Sequence, residues 1–150
     1  MSSDGAGPNV QPMKYPRSAY DQVGGLVYFA RMLDKVRLKA AGLLPPDYEA
    51  NLGKALDLRL CTYLHVDYEA LAREARSGRT DDEVFAWCEE HGRELNEVDV
   101  LIWNGFASKR GLRDEASPAL QQNKESSGLG GRAEIDTFFH YFDVDEKRRP

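Results

Sequence analysis

Four side chains stand out as able to bind or orient a ligand: Arg31, Asp34, Arg37 and Asn104. Arg37 falls on an apolar stripe, within one turn of Leu33 and Ala40. An unpaired buried charge is costly, so such an arginine requires a partner. Asp34, three residues back on the same helix, is within reach. The pair reads either as a structural ion pair, with the arginine stem passing the core to reach water, or as a guanidinium that neutralises an anionic ligand while Asp34 orients it. Arg31 offers the same chemistry one turn earlier. Asn104 lies between Val100 and Leu101 when viewed down an apolar helix. A buried amide there must be hydrogen-bonded, either by a neighbouring loop or by a ligand.

Other constellations are weaker. Cys88 and His91 share a helix face at a spacing of three, which supplies two metal ligands at most, and no second pair stands elsewhere. His91 also precedes Gly92 in a last helical turn, where the negative end of the helix dipole favours it. Asp143-Val144-Asp145-Glu146 lacks the glycine and final glutamate of a calcium loop. Gly128-Leu129-Gly130-Gly131 follows no strand and is no dinucleotide fingerprint, and neither a nucleophile elbow nor a P-loop occurs. No metal, cofactor or catalytic residue is therefore assigned. Gly24-Gly25, read as opening a helix with Lys14 and Arg17 nearby, offers free amides to a small anion.

The elements that must position these residues are helices. Leu26, Phe29, Ala30, Leu33, Val36 and Ala40 recur at about 100° per residue, with Arg31 and Lys35 on the opposite side, so a first helix runs from near Gly24-Gly25 to about Ala41. Gly42 and Pro45-Pro46 stop it. Leu56, Leu60 and Leu64 mark a second helix, and Asp67 caps a third. Thr80 and Glu83 form a capping box for a fourth. Asn96 caps a fifth, about Glu97 to Lys109, which is apolar nearly all round and so reads as central, with Gly105 permitting close helix approach. Ser117-Pro118 opens another. Residues 123 to 131 read as a mobile loop, and Ile135, Phe138, Phe139 and Phe142 define a last amphipathic helix. The fold class is all-α, a single-domain array of five to seven helices over residues 14–150. Residues 1–13, rich in Gly, Ser, Pro and Asn, read as a disordered tail.

Composition narrows the function classes. The net charge of −5 argues against a general nucleic-acid binder, whose affinity comes largely from phosphate neutralisation. No stretch approaches the roughly 18 apolar residues of a membrane-spanning helix. Two isolated cysteines, Cys61 and Cys88, fit buried free thiols in a reducing, cytoplasmic setting.

Tyr15-Pro16-Arg17-Ser18, Gly24-Gly25-Leu26 and Arg31-Met32-Leu33-Asp34-Lys35 with Ala40 and Gly42 resemble the start of a bacterial family, domain of unknown function 5069. Asp81-Asp82-Glu83-Val84 with Trp87 is similar to its middle helix, and Phe142-Asp143-Val144-Asp145-Glu146 to its closing segment. The resemblance implies an intracellular helical domain of about this length and makes Arg31, Asp34 and Lys35 part of a family motif. It implies no activity. Two readings of function follow. One is a non-enzymatic module that binds a protein partner or itself through the aromatic surplus of the last helix, Phe138, Phe139, Tyr141 and Phe142. The alternative is a binder of small anionic ligands, or a minor enzyme, with a polar pocket beside the first long helix.

Overall fold

A computed structural model describes residues 13–150. The expected tail therefore lies, apart from Met13, outside the described residues. What comes before the first helix departs from the sequence reading. Gln22–Val23 (β1) and Leu26–Val27 (β2) pair antiparallel, with Gln22 opposite Val27 and Val23 opposite Leu26. Gly24 and Gly25 are the turn, at φ +61° and +81°. Two consecutive positive φ values are what a two-residue hairpin turn of type I′ needs, and glycine adopts them without penalty. A side chain at Gly24 would also meet the Phe85 ring, which stands 2.5 Å from where its Cβ would lie. The glycines thus end a hairpin instead of opening a helix, and no helix N-terminus is present there to hold an anion.

Seven α-helices and one 3₁₀ helix make up the rest of the described chain, an all-α protein with a small hairpin. In chain order they are α1 (Phe29–Ala40), the 3₁₀ helix (Pro46–Asn51), α2 (Leu56–Leu64), α3 (Tyr68–Arg76), α4 (Asp81–His91), α5 (Glu97–Ser108), α6 (Ser117–Ser126) and α7 (Phe138–Asp145). The expected caps form: Asp67 accepts from the Ala70 amide, and the Thr80/Glu83 box closes in both directions. Asn96 makes a second box with Asp99. Residues 123 to 126, expected in a loop, complete α6. Lys124 there is buried and donates to the carbonyls of Arg132 and Ile135 at 2.8 and 2.9 Å, which fastens the following segment to the helix.

The central helix is α1, not α5. Phe29, Met32, Leu33 and Val36 are buried against Leu60 and Leu64 of α2, Leu71 and Ala75 of α3, and Val84 and Cys88 of α4. A smaller cluster of Leu120, Ile135, Tyr141 and Val144 holds the C-terminal elements together. Helix α5 buries only Trp103 and Ala107 fully, and its outer face, Val98, Leu101 and Ile102, is exposed. Gly105 has open space where a side chain would lie, so no helix approaches it within the molecule.

Candidate functional site

Tyr28, Arg31 and Lys35 lie at successive turns on one side of α1, where the pattern of apolar residues places a solvent face. The structure buries them instead: Arg31 is 2% exposed and Lys35 6%. Each cation survives burial because a carboxylate meets it. Lys35 Nζ lies 2.8 Å from Asp57 Oδ1 and donates to the Tyr28 hydroxyl at 3.0 Å, while that hydroxyl donates to Asp57 at 2.7 Å. The Gly53 amide supplies Asp57 with a third hydrogen bond. Burial lowers the Lys35 pKa below the ordinary lysine value, against the opposing pull of Asp57, and burial together with Asp57 pushes the Tyr28 phenol well up.

Arg31 makes a fork onto Glu146, with Nη1 to Oε1 at 2.9 Å and Nη2 to Oε2 at 2.6 Å, the bidentate geometry that suits guanidinium and carboxylate. Its guanidinium also lies 4.4 Å from the Phe142 ring centre. Tyr48 and Arg148 donate to the same glutamate. Burial alone would raise the Glu146 pKa, but the hydrogen-bonded Arg31, Tyr48 and Arg148 outweigh it and hold the carboxyl below its usual range.

These two clusters form the floor of a cleft of about 670 Å³. Its walls come from the 3₁₀ helix, the start of α2, α6 and α7, with Tyr48, Leu56, Phe138, Tyr141 and Phe142 as the aromatic and apolar lining. Five basic side chains face it, Arg31, Lys35, Lys54, Arg59 and Arg110, against three carboxylates, Asp47, Asp145 and Glu146. Burial and the neighbouring Glu146 push the Asp145 carboxyl up. Among the described residues Lys54 and Arg59 make no ion pair. Two residues on the lining carry left-handed backbone: Tyr28 at φ +74° and Ala55 at φ +52°, ψ −124°. The second is a conformation that only glycine takes easily, and strain of this kind gathers at functional positions.

Of the four candidate ligand-binding residues Arg31, Asp34, Arg37 and Asn104, Arg31 alone lines this cleft. Asp34 does not partner Arg37. It receives the Arg17 guanidinium and the Arg17 amide at 2.8 to 2.9 Å. Arg37 reaches across to Asp81 at 2.5 Å and to the carbonyls of Ala75 and Arg79, so it clamps α1 to α3 and the start of α4. Asp81 also receives Arg17, and the two guanidiniums hold its carboxyl below the usual range despite burial. Asn104 is satisfied by the hairpin, accepting from the Val27 amide at 3.0 Å and donating to the Gly25 carbonyl at 2.9 Å. Cys88 is buried while His91 stacks outside on Trp87, so they do not converge. Burial pushes the Cys61 and Cys88 thiols up to about 12, which leaves both unreactive. Among the described residues no group of three or more His, Cys, Asp and Glu side chains is placed to hold a metal ion, and no helix is long and apolar enough to cross a membrane.

Lys35, Asp57, Tyr48 and Glu146 were not marked as site residues by the sequence. One of them carried a signal: Asp57 falls on the stripe of Leu60, Cys61 and Leu64, a charge on an apolar face. The profile of the family described as Domain of unknown function (DUF5069) matches residues 13–148. The chain belongs to the DUF5069 family. That match takes in every residue of the cleft and both of its buried ion pairs. A comparison with curated proteins finds no match.

Proposed function

We propose that this DUF5069 protein binds a small anionic molecule in the cleft over Arg31 and Lys35. The observation that carries the reading is the sign of the lining. A chain of net charge −5 collects five basic side chains around one cleft, two of them without an internal counter-ion. In a concave site with apolar walls such charges attract anions more strongly than they would on an open surface. The volume suits a metabolite-sized ligand. Arg31 and Lys35, already neutralised by Glu146 and Asp57, fix the floor. Lys54 and Arg59 at the rim make no ion pair among the described residues and are free to meet an anion, and Tyr48, Phe138 and Phe142 supply a surface for a planar or apolar body.

The aromatic residues of α7 fit this role better than partner binding. Phe139 and Tyr141 are buried, and Phe138 and Phe142 are half-buried on the cleft wall. Isothermal titration with inorganic phosphate, pyrophosphate, citrate and a nucleoside monophosphate tests the proposal. At least one is expected to bind saturably, and Arg59→Glu or Lys54→Glu to weaken it about tenfold, or about 1.4 kcal/mol. Arg73→Glu, at an exposed position of α3 outside the cleft, leaves the affinity unchanged. Heat from none of the four, or equal loss in all three variants, would contradict it.

A further inference from the structure

The outer face of α5 has the opposite character to the cleft. Leu101 is 71% exposed, Val98 58% and Ile102 55%, with Phe106 beside them. Soluble monomers rarely leave so continuous an apolar patch uncovered. The inner side of the same helix is fully engaged: Trp103 Nε1 donates to the Val27 carbonyl at 3.0 Å, and Asn104 holds the hairpin. Nothing in the molecule's own packing therefore requires the outer face to be apolar.

The order of features along that face identifies what covers it. At 3.6 residues per turn Val98, Leu101, Ile102, Gly105 and Lys109 fall on one side of the helix. Gly105 is a hollow, open beyond 4 Å, in the middle of bulky neighbours. Glu97 flanks this face at one end, about 100° round the helix from Val98, and Lys109 stands at the other; among the described residues neither makes an ion pair. The bulky Leu101 and the hollow at Gly105 are symmetric about position 103. So are the acidic Glu97 and the basic Lys109. A surface whose knob matches its own hollow and whose acid matches its own base, about one centre, is complementary to itself under a two-fold rotation.

We infer that α5 is the interface of a homodimer, in which two copies of this chain pair their α5 helices antiparallel, Leu101 of each seated over Gly105 of the other and Glu97 of each against Lys109 of the other. The pairing also opposes the two helix dipoles. It covers Val98 and Ile102 and leaves the cleft open.

Sedimentation equilibrium of the full chain tests this. Dimers are expected, and Leu101→Asp, at an exposed position that leaves the fold intact by circular dichroism, is expected to give monomers. Glu97→Lys and Lys109→Glu each place two like-charged pairs across the two-fold axis and raise the dimer dissociation constant about tenfold. The Glu97→Lys/Lys109→Glu double variant restores it. A monomer at about 1 mM chain, which weak association with millimolar dissociation constants would not permit, overturns the homodimer and leaves the face to a different partner. A dimer indifferent to Leu101→Asp, or single charge reversals that the double variant fails to rescue, overturns the pairing.

Discussion

Arg31 and Lys35 are cations buried in a small domain, where such a charge needs a carboxylate or, as at Lys124, backbone carbonyls to hold it. Here Lys35 depends on Asp57, which is fully buried, and Arg31 on Glu146. Removing one member of such a pair strands the other. Asp57→Asn is expected to destabilise the protein by about 3–5 kcal/mol, while Lys35→Met/Asp57→Asn recovers most of that loss, since no bare charge remains. Urea unfolding of the single and double variants measures both. Equal losses in single and double would show that Asp57 matters through Tyr28 and Gly53 instead of through Lys35. The sequence made Arg37 legible as a charge needing a partner, but it suggested the wrong one. Asp34 and Arg37 are three residues apart, yet both prefer partners from other elements, Arg17 and Asp81. Local spacing measures what is in reach, not which of several reachable partners the fold brings closer.

At the level of elements, the capping signals translated faithfully, whereas Gly24-Gly25 turn a hairpin and residues 123 to 126 complete a helix. The Thr80/Glu83 box and the Asn96 cap depend on four consecutive residues, so they could be read directly. Which helix lies at the centre could not. Helix α5 looks central because it is apolar nearly all round, and α1 looks amphipathic, with Arg31 and Lys35 on the side opposite its apolar stripe. The counter-ion that reverses this for Arg31 lies 115 positions along the chain, at the end of α7. Glu146 is accordingly the residue through which the C-terminal helix is tied to the centre. Its folded pKa is depressed, so the stability it contributes is present above the unfolded value, about 4.3, and is lost as pH falls through the lower folded value. Thermal stability is expected to fall on acidification through that window, and Glu146→Gln to lower stability near neutrality while flattening the acid limb. An acid limb unchanged in Glu146→Gln would assign the loss to other carboxylates, of which Asp81 is the nearest alternative.

At the scale of the whole molecule, two surfaces carry different chemistry. The cleft between α1, α2, α6 and α7 gathers cations in an acidic chain, while α5 presents an apolar outer face. The all-α class was readable from periodicity, and a polar pocket beside the first long helix was expected among Arg31, Asp34, Arg37 and Asn104. The cleft takes in Arg31 alone of these and lies on its Lys35 side, where α2 and α7 converge from distant sequence. Such convergence leaves no local mark beyond the odd charge at Asp57. Titration of the same four anions into ¹⁵N-labelled protein, followed by amide shifts, tests anion binding in the cleft most directly. For at least one of them the amides of Asn51, Ala55, Leu56 and Ser127 are expected to move along one saturable isotherm, with those of Arg37, Asn104 and Lys109 still. Shifts confined to the basic C-terminal residues Arg148 and Arg149, or the absence of any saturable change around the cleft, would contradict it.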